Sequence, residues 1–221
     1  MKKLLFSLIL LLGSASAVNA GEFGEAHNRY LDCLRKTLPR GPVAARDIMS
    51  ALLNNCRYTP PSANASNFVE TYGRLLESTM RSLQAGGLTA VLNSYSDRFT
   101  AMHMGYLNQI ESIVKAQNPR EAITTLNRLH AEATRQFRSN PNSPNRGTVN
   151  SDVAVLAAIE IAASSIQYWE RNAPANEMRM MVKWWQVVLA DVAGGIVGGV
   201  FGAGVGAVGL GGACSAAVGL L

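Results

Sequence analysis

The sequence predicts an all-α protein: a bundle-like body of about six helices, followed by a glycine-zipper C-terminal helix or hairpin. Three observations lead there. Apolar residues through the body recur at the 3.6-residue helical period. No stretch alternates apolar and polar residues as a half-buried strand must. The last 30 residues, Val192 to Leu221, hold no charge, and 11 of them are glycine.

The chain opens with Met1-Lys2-Lys3, an apolar run from Leu4 to Leu12, then Gly13-Ser14-Ala15-Ser16-Ala17. This is the three-part order of a secretory signal peptide, with small-x-small cleavage sites after Ala17 and after Ala20, the second preferred. The apolar core is too short for a membrane anchor, which needs ~20 residues. The expected organisation is a signal peptide at 1–20, a helical domain at 21–174 with a surface loop at 139–151, and an apolar tail at 175–221. Loss of Lys2 and Lys3 from the 20 Lys and Arg leaves 18 against 15 acidic residues. That mild excess is no basic stripe, so nucleic acid is not an expected partner. Length suits one domain with a real core.

In the body, Phe23, His27, Tyr30, Leu31, Leu34 and Leu38 share one face of a helix over about Glu22 to Thr37. Pro39 to Pro42 ends it. A second helix carries Ile48, Met49, Leu52, Leu53 and Cys56. A third, capped by Ser66 or Asn67, runs from Phe68 and stops at Gly86-Gly87. A fourth is expected from about Asp97 to Ala116. Asn118-Pro119-Arg120-Glu121 is the strongest start signal: an N-cap, a proline at the first helical position, and a glutamate that can reach back. The helix it opens is expected to bury Ile123, Leu126, Leu129, His130, Ala133 and Phe137. After the Asn/Pro/Ser-rich loop, Asp152 to Arg171 is apolar almost all round. Its narrow polar stripe of Glu160, Ser164, Gln167 and Arg171 marks a central helix.

Export would place Cys33, Cys56 and Cys214 where disulfides persist. Cys33 and Cys56, on the first two helices, can bridge that hairpin and leave Cys214 in the tail. The alternative is three free buried thiols.

The tail glycines are ordered. Gly194, Gly198, Gly202 and Gly206 repeat every fourth residue, and Gly195, Gly199, Ala203, Ala207, Gly211, Ser215 and Gly219 form a second row. Residues four apart stack on one helix face. Rows of tiny side chains let another helix approach closely, as in membrane helix pairs. Trp184 and Trp185 would suit an interfacial belt. Against a simple anchor stand the helix cost of glycine, roughly 1 kcal/mol each, and the absence of positive charge beyond the tail. The other reading is a buried helix or hairpin of the soluble domain, bent near Gly209 to Gly212.

Chemical motifs are sparse. Gly204 to Gly209 matches G-x-G-x-x-G, but the chain ends 12 residues later with no acid for a ribose, so it is not read as a dinucleotide site. His130-Ala131-Glu132 lacks the cysteine half of a zinc deaminase signature. The three histidines, His27, His103 and His130, each fall on an apolar face. Convergence would make a three-histidine metal site; otherwise each is a separate core histidine. Glu160, on its polar stripe, is expected to be solvated.

The segment Gly24 to Asp32, containing His27-Asn28-Arg29-Tyr30-Leu31-Asp32, and the tail segment Ala190 to Gly195 resemble those of a group of exported bacterial proteins. Members share a signal peptide, an H-N-x-x-L-D segment early in the mature chain and a glycine-rich apolar C-terminus. The resemblance implies export and implies no activity. The tail alone is similar to the glycine zippers of small pore-forming bacteriocins.

The expectation is therefore an exported, non-enzymatic, periplasmic or cell-envelope protein without a cofactor. Its tail would associate with membrane lipid or with other copies of itself through Gly194, Gly198, Gly202 and Gly206. The competing readings are a secreted pore-forming toxin and a metal-dependent enzyme using His27, His103 and His130.

Overall fold

A computed structural model describes residues 21–61, 66–139, 149–172 and 184–219. The signal-peptide reading at 1–20, most of the loop read at 139–151, and Arg179 and Lys183 lie outside the described residues. Within them the protein is all-α, with seven helices and no strand. They are α1 (Glu22–Thr37), α2 (Ala45–Asn54), α3 (Phe68–Ser94), α4 (Ala101–Ala116), α5 (Pro119–Ser139), α6 (Val149–Asn172) and α7 (Trp184–Gly219).

Local chemistry explains most of the boundaries. Helix α1 has Glu22 and Glu25 in its first turn and Arg35 and Lys36 in its last, each favourable to the helix dipole. Its buried face is Gly24, His27, Leu31 and Leu34. Helix α5 opens as its sequence suggests: Asn118 Oδ1 accepts from the Glu121 backbone N–H at 3.1 Å. It buries Ala122, Leu126, Leu129, Ala133 and Phe137, while Ile123 and His130 are half-buried.

Three expected boundaries are corrected. Helix α4 begins at Ala101, not Asp97, because the Thr100 side chain accepts from the His103 backbone N–H and the His103 ring reaches back to the Thr100 N–H. Residues Ser96–Arg98 form a 3-10 turn instead. Helix α3 kinks at Gly86 and Gly87, where Gly87 takes a left-handed φ of 68°, and a further turn to Ser94 buries Leu88, Val91 and Leu92. Cys56 lies beyond the end of α2, where it joins Cys33 of α1 in a disulfide with Cα atoms 5.8 Å apart.

Helix α6 sits at the centre, packed on α1, α4, α5 and α7. Ala154, Val155, Ala157, Ala158, Ile159, Ile161 and Ala162 are wholly buried, as its narrow polar stripe suggests. The second central element is α7. It is broken at Gly202 and Ala203, and its two arms return along each other. The bend lies there and not near Gly209 to Gly212. Buried residues of both arms belong to the same hydrophobic cluster as those of α1 to α6. Helices α1, α3 and α6 make the largest share of the sheath around the hairpin.

Candidate functional site

The hairpin is built on glycine. A methyl group on Gly198 would collide with the carbonyl oxygen of Gly206, and one on Gly206 with that of Gly198. One on Gly194 would strike Leu210 O and the Cys214 sulfur. The two arms are therefore antiparallel, with their backbones touching along one glycine row and the turn at residue 202. Gly202 itself packs under the Tyr72 ring and Pro61. The other row faces α6: a methyl on Gly199 would lie 2.8 Å from Ala154 Cα, and one on Gly195 2.9 Å from Ile161 Cδ1. Further along the returning arm, Gly204 packs on Phe23, Gly209 on Tyr58, and Gly211 on His27.

Each histidine meets a different carboxylate, and each pair pins an outer helix to the central two. His27 of α1 faces Asp191 of α7, Nε2 to Oδ1, at 3.2 Å. His103 of α4 meets Asp152 of α6 at 2.8 Å. His130 of α5 meets Glu160 of α6 at 3.0 Å. The three rings do not converge on one point, and among the described residues no group of three His, Cys, Asp or Glu side chains is arranged to hold a metal ion. Glu160 is not solvated as expected: it is 9 % exposed, and its second oxygen accepts from the Phe23 backbone N–H at 3.2 Å. That N–H belongs to the first turn of α1, which has no partner within its own helix. His103 Nδ1 accepts from the Thr100 N–H, so its Nε2–H is the donor to Asp152.

The His27 pair is the most enclosed, with both side chains wholly buried. His27 Nδ1–H donates to Asn28 Oδ1 at 2.9 Å, and Asn28 Nδ2 donates to Ser164 O, which fixes the amide's orientation. Ser165 Oγ donates to the second oxygen of Asp191 at 2.5 Å. The Nε2 and Oδ1 atoms stand at ion-pair distance without hydrogen-bond alignment. Burial alone would disfavour the imidazolium, but the Asp191 carboxylate and the Asn28 oxygen outweigh it and hold the His27 pKa above its ordinary value. Cys214 is free and buried, and burial, with Asp191 nearby, pushes its thiol upward. This is a histidine–carboxylate pair locked inside the core, with Ser165 bonded to the acid and not to the imidazole. It lacks the order that would activate a hydroxyl nucleophile.

The tip of the hairpin differs from everything else on the surface. Among the described residues the large hydrophobic side chains left exposed are Phe201, at 42 %, and Val205, at 49 %. They flank the break at Gly202 and Ala203, where Ala203 holds a φ of 51°. Tyr95 from the end of α3 stands edge-on to Phe201 at 5.9 Å. The Tyr58 hydroxyl donates to Val205 O at 2.9 Å. Trp184 and Trp185 lie at the opposite end of the first arm, half-buried against the core, with the Lys115 ammonium 5.4 Å from the Trp185 ring.

Compared with known proteins, the chain matches no family model, no curated protein and no solved structure.

The site residues read from sequence thus separate into groups. Gly194, Gly198 and Gly206 lie together between the arms, and Gly202 sits at the turn. Cys33 and Cys56 are bonded. Asp191, Asp152 and Glu160 were missed as partners of the histidines. A signal existed for Asp191: a lone carboxylate in an otherwise apolar helix needs a partner if it is buried, and His27 stood on an apolar face.

Proposed function

We propose that this is an exported, non-enzymatic cell-envelope protein that associates with a membrane through its glycine-zipper hairpin. The observation that carries the reading is the hairpin itself. From Val192 onward it has no charge, and α7 is long and apolar enough to cross a membrane by length and composition. Folded at residue 202, it brings Phe201 and Val205 to the surface as the exposed large hydrophobic side chains among the described residues. The histidines bear on the metal-dependent alternative. His27, His103 and His130 are each engaged with a carboxylate between helices.

The glycine rows bear on the mode of association. They meet each other, α6 and the aromatic rings of the sheath within one chain, which favours lipid over further copies of the tail as the partner.

Flotation of the purified mature chain, from Gly21 onward, with phosphatidylethanolamine and phosphatidylglycerol vesicles tests the reading. Co-flotation that survives high salt is expected. A chain that stays at the bottom of the gradient with these vesicles would remove the membrane from the proposal. Release of an entrapped dye would move the reading to the pore-forming alternative.

A further inference from the structure

Resting on the membrane reading above, we infer that the lipid contact is the hairpin's tip alone: Phe201 and Val205 dip into a bilayer while the two arms stay packed in the bundle.

Exposure points to the tip first. The large apolar side chains left in water among the described residues are these two, on either side of one turn. They belong to a stretch with no charge on its own chain from Val192 onward, so nothing in the turn resists entry into an apolar phase.

The size of the patch selects the partner. A stable protein–protein interface buries on the order of 1,200 Å² or more, far beyond what two side chains on a turn can supply. A second copy or a folded partner would need a wider apolar surface around the tip. A bilayer has no such requirement, because it accepts a small apolar wedge as a solvent does, each buried group adding its own transfer energy.

The turn is also equipped for lipid. The Tyr58 hydroxyl beside the turn is already engaged with the Val205 carbonyl, so it brings no unpaired polar group to the tip. Tyr95, edge-on to Phe201 and half-buried, is the kind of amphipathic ring that settles at the headgroup level.

The arms, by contrast, are held. Asp191 is paired with His27 and bonded by Ser165. Gly195 and Gly199 sit on α6, and Gly209 and Gly211 on Tyr58 and His27. Of the most apolar stretch of α7, 72 % is buried inside the protein. Departure of the arms would bare α6 along Ala154, Ala158 and Ile161 and strand the His27 charge. Trp184 and Trp185, one arm's length from the tip, are then core-packing residues and not part of the lipid contact.

The experiment uses the mature chain from Gly21 onward, its Phe201→Asp and Val205→Asp variants, and the same phosphatidylethanolamine and phosphatidylglycerol vesicles. Both positions are exposed, so far-ultraviolet circular dichroism and the melting temperature should match those of the parent. Vesicle partitioning is expected to fall about tenfold or more in each variant. Amide hydrogen exchange across Ala154 to Ile161 of the parent should be the same with and without vesicles. Unchanged partitioning of both variants would overturn the tip contact and leave the membrane reading standing. So would loss of α6 protection on vesicles, since that means the arms have left. A parent that does not partition at all would overturn both. A parent that is dimeric by light scattering, with the dimer lost in Phe201→Asp, would assign the tip to a second copy and overturn the inference.

Discussion

His27 and Asp191 face each other at 3.2 Å in the middle of the bundle, with neither side chain reaching water. One lies five residues into α1, the other seven residues into α7, so the pair ties the first described helix to the last. Removing a single partner strands a buried charge. Asp191→Ala is expected to cost about 3–5 kcal/mol of unfolding free energy. Replacing both by apolar residues of similar size, His27→Leu with Asp191→Leu, is expected to cost much less, because no charge remains to be buried. Urea denaturation of the three proteins checks this, and equal losses in single and double variants would contradict it.

The same pair sets a dependence on pH. The folded-state pKa of His27 is raised above the ordinary 6.5. A raised histidine contributes stability that is fully present below the unfolded value and is lost as pH rises through the folded one. The urea midpoint should therefore decline as pH is raised from about 6.5 toward about 8.5. Cys214, whose thiol is also raised in the fold, adds a decline of the same sign only as pH nears the ordinary cysteine value of 9.0, so the fall nearer pH 6.5 is the part that reports on His27. The double variant lacking both charges should show a flatter profile. A parent profile as flat as the variant's would mean that the pair is not ionised in the folded protein.

Glycine in the hairpin and glycine on the surface should respond oppositely to alanine. At Gly105 of α4 nothing lies within 4 Å of an added methyl, and Gly105→Ala should stabilise by about 0.5–1 kcal/mol through helix propensity and chain entropy. At Gly198 the methyl meets the Gly206 backbone, which cannot swing aside. Gly198→Ala should destabilise by about 1–3 kcal/mol as overpacking does. Thermal melts of the two variants decide, and a stabilised Gly198→Ala would mean the arms are not in backbone contact.

Ala203 occupies a backbone conformation, φ 51° and ψ −148°, that favours glycine. Ala203→Gly should relieve about 1 kcal/mol of strain, less what glycine adds to unfolded-chain entropy. A raised melting temperature is the expected result. A lowered one would place the turn elsewhere.

The helical period predicted α1 and α5 nearly to the residue, because their capping and breaking residues act through neighbours in the chain. Asn118 needs only Glu121, three residues away. The same locality explains the missed start of α4. Thr100 and His103 form a reciprocal cap, but the histidine looked like an ordinary apolar-face residue. The identity of α6 as a central helix was also legible, since a helix with few polar positions has nowhere else to go.

What the sequence alone determined was a helical fold, an uncharged tail and the four-residue spacing of its glycines. These follow from side-chain type and the 3.6-residue period, which act within one helix. Only the tertiary structure decided that the tail folds back at residue 202, that its glycine rows meet each other and α6, and that His27, His103 and His130 pair with Asp191, Asp152 and Glu160. The physical reason is distance along the chain. The members of these pairs stand 164, 49 and 30 residues apart, and a helix carries no record of which distant helix will lie against its face. Phe201 and Val205 illustrate the same limit. In sequence they are two apolar residues among many, and their exposure comes from the turn between them, whose inner side packs on Tyr72 and Pro61.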